Sequence, residues 1–273
     1  MSRTAPLAIG LLLLAAGGTA RAATLPVCVP PVEAANVAVM RVEPNGAVIL
    51  DDGRAIRLEG ILLPGGARDH APSFLADQAI NQMNDLVRGQ IVTLAAKPPK
   101  EDRYGRVRAQ IFFDGRGENW LQIAMLRRGL ARVSIAPDRR ECAKELYDAE
   151  HAARAKGAGI WSQTGYEVRN AANVSPSDLG TFQIVEGRVT NAEVRGGRAY
   201  LNFGADWRTD FTATISPEDM KAFRADNIDP ASYAGKTLRV RGVVEQFNGP
   251  EIEIAAPEQI EEVVAPPLRP SQR

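Results

Sequence analysis

The sequence predicts a mainly β protein with helices (α+β), built as two small barrels in tandem. Three observations carry that reading. A chain of 273 residues with 45% apolar composition exceeds one small domain and is enough to bury two cores. Strand-like alternation recurs in two separate blocks, each interrupted by helical periodicity. Between the blocks, residues 163–179 are rich in Asn, Ser and Pro without a period, which reads as a domain linker.

In chain order, residues 1–22 read as a signal peptide. Arg3 supplies the positive region, residues 6–16 are apolar, and Ala20-Arg21-Ala22 offers small residues for cleavage after Ala22. The other reading, an uncleaved anchor, needs a longer apolar run to cross roughly 30 Å of hydrocarbon. A lipoprotein would need a small residue just before Cys28, and Leu25-Pro26-Val27 does not supply it. Residues 23–36 carry prolines and no periodicity, so an exposed arm is expected there. Strands are predicted at 47–50 and 55–62 around the turn Asp51-Asp52-Gly53, then a helix over 73–88 on Leu75, Ala79, Met83 and Leu86, stopped by Gly89. Further strands fall at 91–96 and 107–113, with helices at 119–128 and 141–156. A closed barrel with helices packed beneath it accounts for this order over 37–162. In residues 180–264, strands are predicted at 183–189, 199–203, 211–215, 237–244 and 251–255, with a short helix at 217–224. This is an OB-type order, a generic five-stranded barrel or sandwich being the alternative. Residues 265–273 are expected to be a disordered tail.

Lys+Arg and Asp+Glu are equal at 33 each, so no overall basic field advertises nucleic acid and any anion site must be local. Export would place the two cysteines, Cys28 and Cys142, in an oxidising compartment where they can form one bridge, two buried thiols being the alternative. With only two histidines, His70 and His151, a Cys/His zinc site or a Ser-His-Asp triad has little to work with.

The run Asp102-Arg103-Tyr104-Gly105-Arg106, then a strand, then Leu126-Arg127-Arg128-Gly129-Leu130-Ala131-Arg132-Val133, and finally Gly159-Ile160-Trp161, resembles the staphylococcal nuclease (thermonuclease) family over residues 37–162. The resemblance implies an OB barrel hydrolysing phosphodiesters, with two arginines clamping a phosphate, calcium on acidic ligands and a glutamate activating water. Arg57, in an Arg-Leu context at the end of a strand, and Arg106 match the two arginines. Paired guanidiniums give planar, charge-assisted hydrogen bonds to one anion. Arg103 and Tyr104 match substrate-contact positions, although an exposed loop carries such residues anyway.

The remaining machinery departs from the family. Where the family has an Asp-x-Pro-Glu segment this chain has Leu62, Leu63, Pro64 and Gly65, and the other acidic turn aligns with Pro44-Asn45-Gly46-Ala47, Glu43 lying just off register. Calcium needs six to eight oxygens, carboxylates among them, and Leu62 and Leu63 have no side-chain oxygen. No cofactor is therefore expected, and Gly65 cannot act as a base. Glu59, Asp69 and His70 are the candidates for compensation. The bland reading of Glu59 is an ion pair with Arg57 on one strand face, and that of His70 a solvated loop side chain.

In the second barrel, Tyr200, Trp207, Phe211 and Phe247 with Arg188, Arg195, Arg198 and Arg208 could line a stacking and phosphate groove, or the aromatics could be core. Three functions stay open: a non-catalytic binder of nucleic acid or another phosphate-bearing ligand, a divergent phosphodiesterase, and an exported structural or protein-interaction module.

Overall fold

The structure, a computed structural model, describes residues 25–66, 68, 69, 71–113 and 119–264. The expected signal peptide (1–22) and tail (265–273) lie outside those residues, as does His70. No helix among the described residues is long and apolar enough to cross a membrane.

The first unit begins with strands β1 (Val32–Val42), β2 (Val48–Leu50), β3 (Ala55–Leu58) and β4 (Ile61–Leu62), followed by helix α1 (Ser73–Val87). Strands β5 (Ile91–Ala95) and β6 (Val107–Phe113) come next, then α2 (Leu121–Arg127), β7 (Arg132–Val133) and α3 (Ala143–Ala155). Five strands close into a barrel in the order β1-β2-β3-β6-β5, β5 returning to β1, while β4 and β7 form a separate ribbon. The alternation in the sequence is the cause: Val48, Leu50, Ile56, Leu58, Val92, Leu94, Ala109 and Ile111 all point into one core. Helices α1, α2 and α3 cover it with Met83, Leu126 and Leu146.

The arm expected at 23–36 is only partly an arm. From Val32 the chain is already β1, with Val32 opposite Ala95 and Ala34 opposite Leu94. Register shifts on both sides of Ala34, and Asn36 at φ 59°, break the period-two signal that would have announced the strand. A disulfide joins Cys28, just before this strand, to Cys142 at the start of α3, across 114 residues.

Residues 163–179 connect the two units through packed structure. Tyr166 joins Leu75 and Ile160 in a small core, and β8 (Arg169–Asn170) pairs in parallel with the next strand. That strand, β9 (Phe182–Arg188), starts the second unit: β10 (Asn191–Arg195), β11 (Arg198–Asn202), β12 (Thr212–Ile215), α4 (Met220–Ala225), β13 (Thr237–Gln246), β14 (Pro250–Glu253) and β15 (Ile260–Glu262). Here the closed-barrel expectation is corrected. The eight strands form one open sheet in the order β10-β11-β12-β14-β13-β9-β8, with β15 on β13. The five strands foreseen are present, but β8, β10 and β15 are not among them, and no ladder among the described residues joins β10 to β9. These are successive lengths of chain separated by Val189-Thr190, and Val189 N–H turns aside to donate to Lys236 O.

The two units meet through charge. Arg241 on β13 is 1% exposed and donates to Glu150 of α3 at 2.9 Å and to Glu261 of β15 at 2.6 Å, stacked over Tyr147 at 4.4 Å. Arg132 on β7 donates to Phe182 O at 2.6 Å and lies between the Tyr166 and Phe182 rings.

Candidate functional site

Strands β3 and β6 run parallel with Arg57 opposite Arg108, so both side chains project from one face, and Arg106 lies in the turn just before β6. Arg57 is exposed and pairs with no carboxylate among the described residues. Arg106 is held by Asp102 through Nε at 2.9 Å and Nη2 at 2.7 Å. Asp102 also accepts from the Tyr104 and Arg106 backbone N–H groups at 2.9 and 3.1 Å, so one carboxylate shapes the whole turn. Its burial opposes ionisation, but Arg106 and those N–H groups outweigh this and hold its pKa below the ordinary carboxylate value. Tyr104 is 66% exposed, with the Arg103 and Arg106 guanidiniums over its ring at 4.8 and 5.4 Å.

Glu59 does not pair with Arg57. β3 ends at Leu58, Glu59 N–H donates to Ala109 O, and Glu59 is buried at 6% exposed. There it binds Arg108 through both oxygens, at 2.8 and 3.1 Å. Arg108 in turn grips Asp138 with two further bonds, at 2.8 and 2.9 Å. The Arg108 hydrogen bonds lower the Asp138 pKa, and those carboxylates raise that of Arg108. Sequence reasoning missed Arg108 and Asp138. The signal was available in Arg106-Val107-Arg108, a second arginine two residues beyond the motif.

Asp69 is likewise committed. It accepts from Gly65 N–H at 3.0 Å and Tyr166 Oη at 2.7 Å, and lies 3.2 Å from the Arg132 guanidinium. Glu43 pairs with Arg41 at 2.9 Å.

The residues aligned with the family's metal and base positions do not fit a calcium ion. Gly46 sits at φ +81°, and a Cβ there would lie 2.6 Å from Leu63 Cδ1, with Ile80 Cδ1 next. The space between the two ligand-bearing segments is thus filled by hydrocarbon. Gly65 sits at φ +92°, and a Cβ there would lie 2.8 Å from Ala76 Cβ, so a glutamate has no room. Asn45, the one side-chain oxygen in the aligned turn, is used on Ala47 N–H at 2.9 Å. Among the described residues the three-ligand cluster Cys28, Cys142 and Glu145 offers no alternative, because both sulfurs are in the disulfide.

The aromatic groove expected in the second unit divides. Phe211 is core at 2% exposed, whereas Trp207 and Phe247 are exposed and, with Tyr200 and Arg195, line one cavity. Arg198 and Arg208 pair with Glu253 and Asp206, and Arg188 lies at the far end of β9, opposite Thr237.

Residues 55–163 match the family described as staphylococcal nuclease homologue, so this part of the chain is a nuclease-like domain. The match starts at β3, after the first two barrel strands. No curated protein matches the chain.

Proposed function

We propose that the first barrel is a non-catalytic binding module of nuclease ancestry, holding a nucleic acid or another phosphate-bearing ligand on the face of Arg57, Arg103, Tyr104 and Arg106. The observation that carries this reading is Leu63 packed against Gly46, which puts an isobutyl group where a metal's ligands would converge. The binding half rests on Arg57, a guanidinium with no carboxylate partner among the described residues, and on the arginine turn that Asp102 shapes. The phosphodiesterase alternative loses support because Glu59 and Asp69, its proposed carboxylates, are both held in ion pairs.

For the second unit we read an OB-type strand order laid out as an open sheet, with β9 and β10 as successive lengths of chain at opposite ends of it. The sheet order supports this, since its two hydrogen-bonded ends, apart from β8, are consecutive in the chain. Export is the companion proposal, supported by the disulfide and by the leader-like residues 1–22. Finding the mature N-terminus at Ala23 checks it.

The deciding experiment is a nuclease assay on single- and double-stranded DNA and RNA with calcium, magnesium, manganese and chelator, run beside fluorescence-anisotropy binding. The expectation is salt-sensitive binding without turnover, weakened by Arg57→Ala. Calcium-dependent cleavage abolished by Arg57→Ala would overturn the reading.

A further inference from the structure

The second sheet carries a groove whose chemistry is the opposite of the first barrel's arginine face. Strand register sets Glu193 opposite Tyr200, and Glu251 opposite Glu245. These side chains lie on the surface away from the core of Leu201, Ala213 and Ile252. The 203–211 loop brings Trp207 to this surface and the β13–β14 turn brings Phe247. Together with Tyr200, Glu193 and Glu251 they line a cavity of about 550 Å³. Trp207 is 51% and Phe247 77% exposed. Two large aromatic side chains uncovered beside one cavity mark a surface that gains by being covered.

The charges decide what covers it. Of the charged side chains lining the cavity, Glu193 and Glu251 stand against Arg195, a balance of −1, and Glu245, Glu253 and Arg198 lie beside it on the same sheet face. Both arginines are already occupied, Arg195 by Glu193 at 3.3 Å and Arg198 by Glu253 at 3.2 Å. Glu245 and Glu251 face each other with no ion-pair partner among the described residues, and Glu251 accepts only from Thr214 Oγ1 at 2.9 Å. Like charges directly opposite on a sheet repel. Burial raises the Glu251 pKa, and Glu253 and Glu245 add to it against the pull of Thr214 and Arg198. A phosphate polymer would meet this field unfavourably. A cation with a carbon skeleton would relieve the carboxylates and cover the rings at once.

We propose that this groove binds a small organic ammonium ion, its charge facing Glu251 and its carbon skeleton lying on Trp207 and Phe247. The cavity has the size of a small-molecule site rather than of a polymer track. The ring of Trp207 already accepts a cation, the Arg208 guanidinium lying 4.8 Å from its centroid. The site is independent of the arginine face and stands whether or not that face binds phosphate.

The test is calorimetric titration of the full mature chain with spermidine, a primary polyammonium, and with choline, a quaternary ammonium. A twelve-nucleotide oligothymidylate serves as the anionic comparator. The expected result is saturable one-to-one binding of at least one cation, weakened about tenfold or more in Glu251→Gln and in Trp207→Ala. Phe247→Ala, at the most exposed ring, repeats the measurement with least risk to folding, and unchanged melting of each variant shows the loss is local. The proposal is overturned if neither cation binds, or if both bind wild type and all three variants equally. It is also overturned if the oligonucleotide binds and Trp207→Ala weakens that binding.

Discussion

Two glycines and two arginines concentrate the residue-scale argument. Read from the sequence, Gly46→Asp, Leu62→Asp, Leu63→Thr and Gly65→Glu together should create some metal dependence. The structure changes that expectation, because Gly65 combines φ +92° with a Cβ direction that ends 2.8 Å from Ala76. Gly65→Glu alone is expected to cost roughly 2 kcal/mol or more through left-handed backbone and overpacking. The fourfold variant should therefore melt earlier than wild type and gain no calcium response. A calcium-induced rise in its melting temperature would refute this. The arginines separate differently. Arg57 is exposed and pairs with no carboxylate among the described residues, so Arg57→Ala should leave stability within about 0.5 kcal/mol while reducing anion binding. Arg106 also anchors its own turn through Asp102, so Arg106→Ala should lower both binding and stability, the latter by roughly 1–2 kcal/mol. Equal effects of the two substitutions on melting would contradict that division.

At the scale of elements, α3 does more than cover the barrel. Its Glu150 is fully buried and takes Arg241 from β13 together with Val133 N–H at 2.7 Å. Removing one member of such a pair strands the other, so Glu150→Ala is expected to cost about 3–5 kcal/mol, whereas Glu150→Leu with Arg241→Met should cost far less. Denaturant midpoints of the two variants make the comparison, and equal losses would sink it. Its first turn is tied by Cys142 to Cys28, which restricts the unfolded chain by about 4–5 kcal/mol at most for a loop of this length. Thiol counting on the unfolded, unreduced protein should find none free. These elements also show what could be read in advance. α1, β5 and β6 were legible to within a residue or so, because one face of each is buried against a single core and the period survives. β10 was not, since Asn191-Ala192-Glu193-Val194-Arg195 has a polar outer face and only a half-covered inner one. The arginine positions were visible from their motif. Their partners were not, because Asp138 lies 30 residues from Arg108 and Glu59 lies 49, separations that only the fold closes.

Across the whole molecule, two apolar cores are separate and the contact between the units is polar. Besides Arg241–Glu150, Arg140 bonds Glu258 at 2.7 Å and pairs with Asp226, Tyr147 Oη donates to Glu258 O, and His151 Nε2 lies 2.5 Å from Glu261. Since the second core is its own, residues 180–262 are expected to unfold cooperatively when expressed alone, and a fragment lacking a cooperative transition would refute this. Such an interface should be acid-sensitive in a defined window. Burial alone would raise the Glu261 pKa, but His151 and Arg241 overcome it and bring it down to about 2 from the ordinary 4.5. A carboxylate depressed in the folded state contributes its stability above its unfolded pKa and loses it as pH falls through the folded one. The Glu261 contribution should therefore be complete above about pH 5, shrink between roughly pH 4.5 and 2, and amount to no more than about 3 kcal/mol. Asp102 and Asp138 are also depressed and lie in the first barrel, so total acid stability mixes several groups. The difference between wild type and Glu261→Gln isolates the interface. In calorimetry that difference should be largest at neutral pH and diminish towards pH 2.5, with the units melting further apart as the contact weakens. A difference that stays constant from pH 6 to pH 2.5 would mean that Glu261 does not couple the two units through its charge.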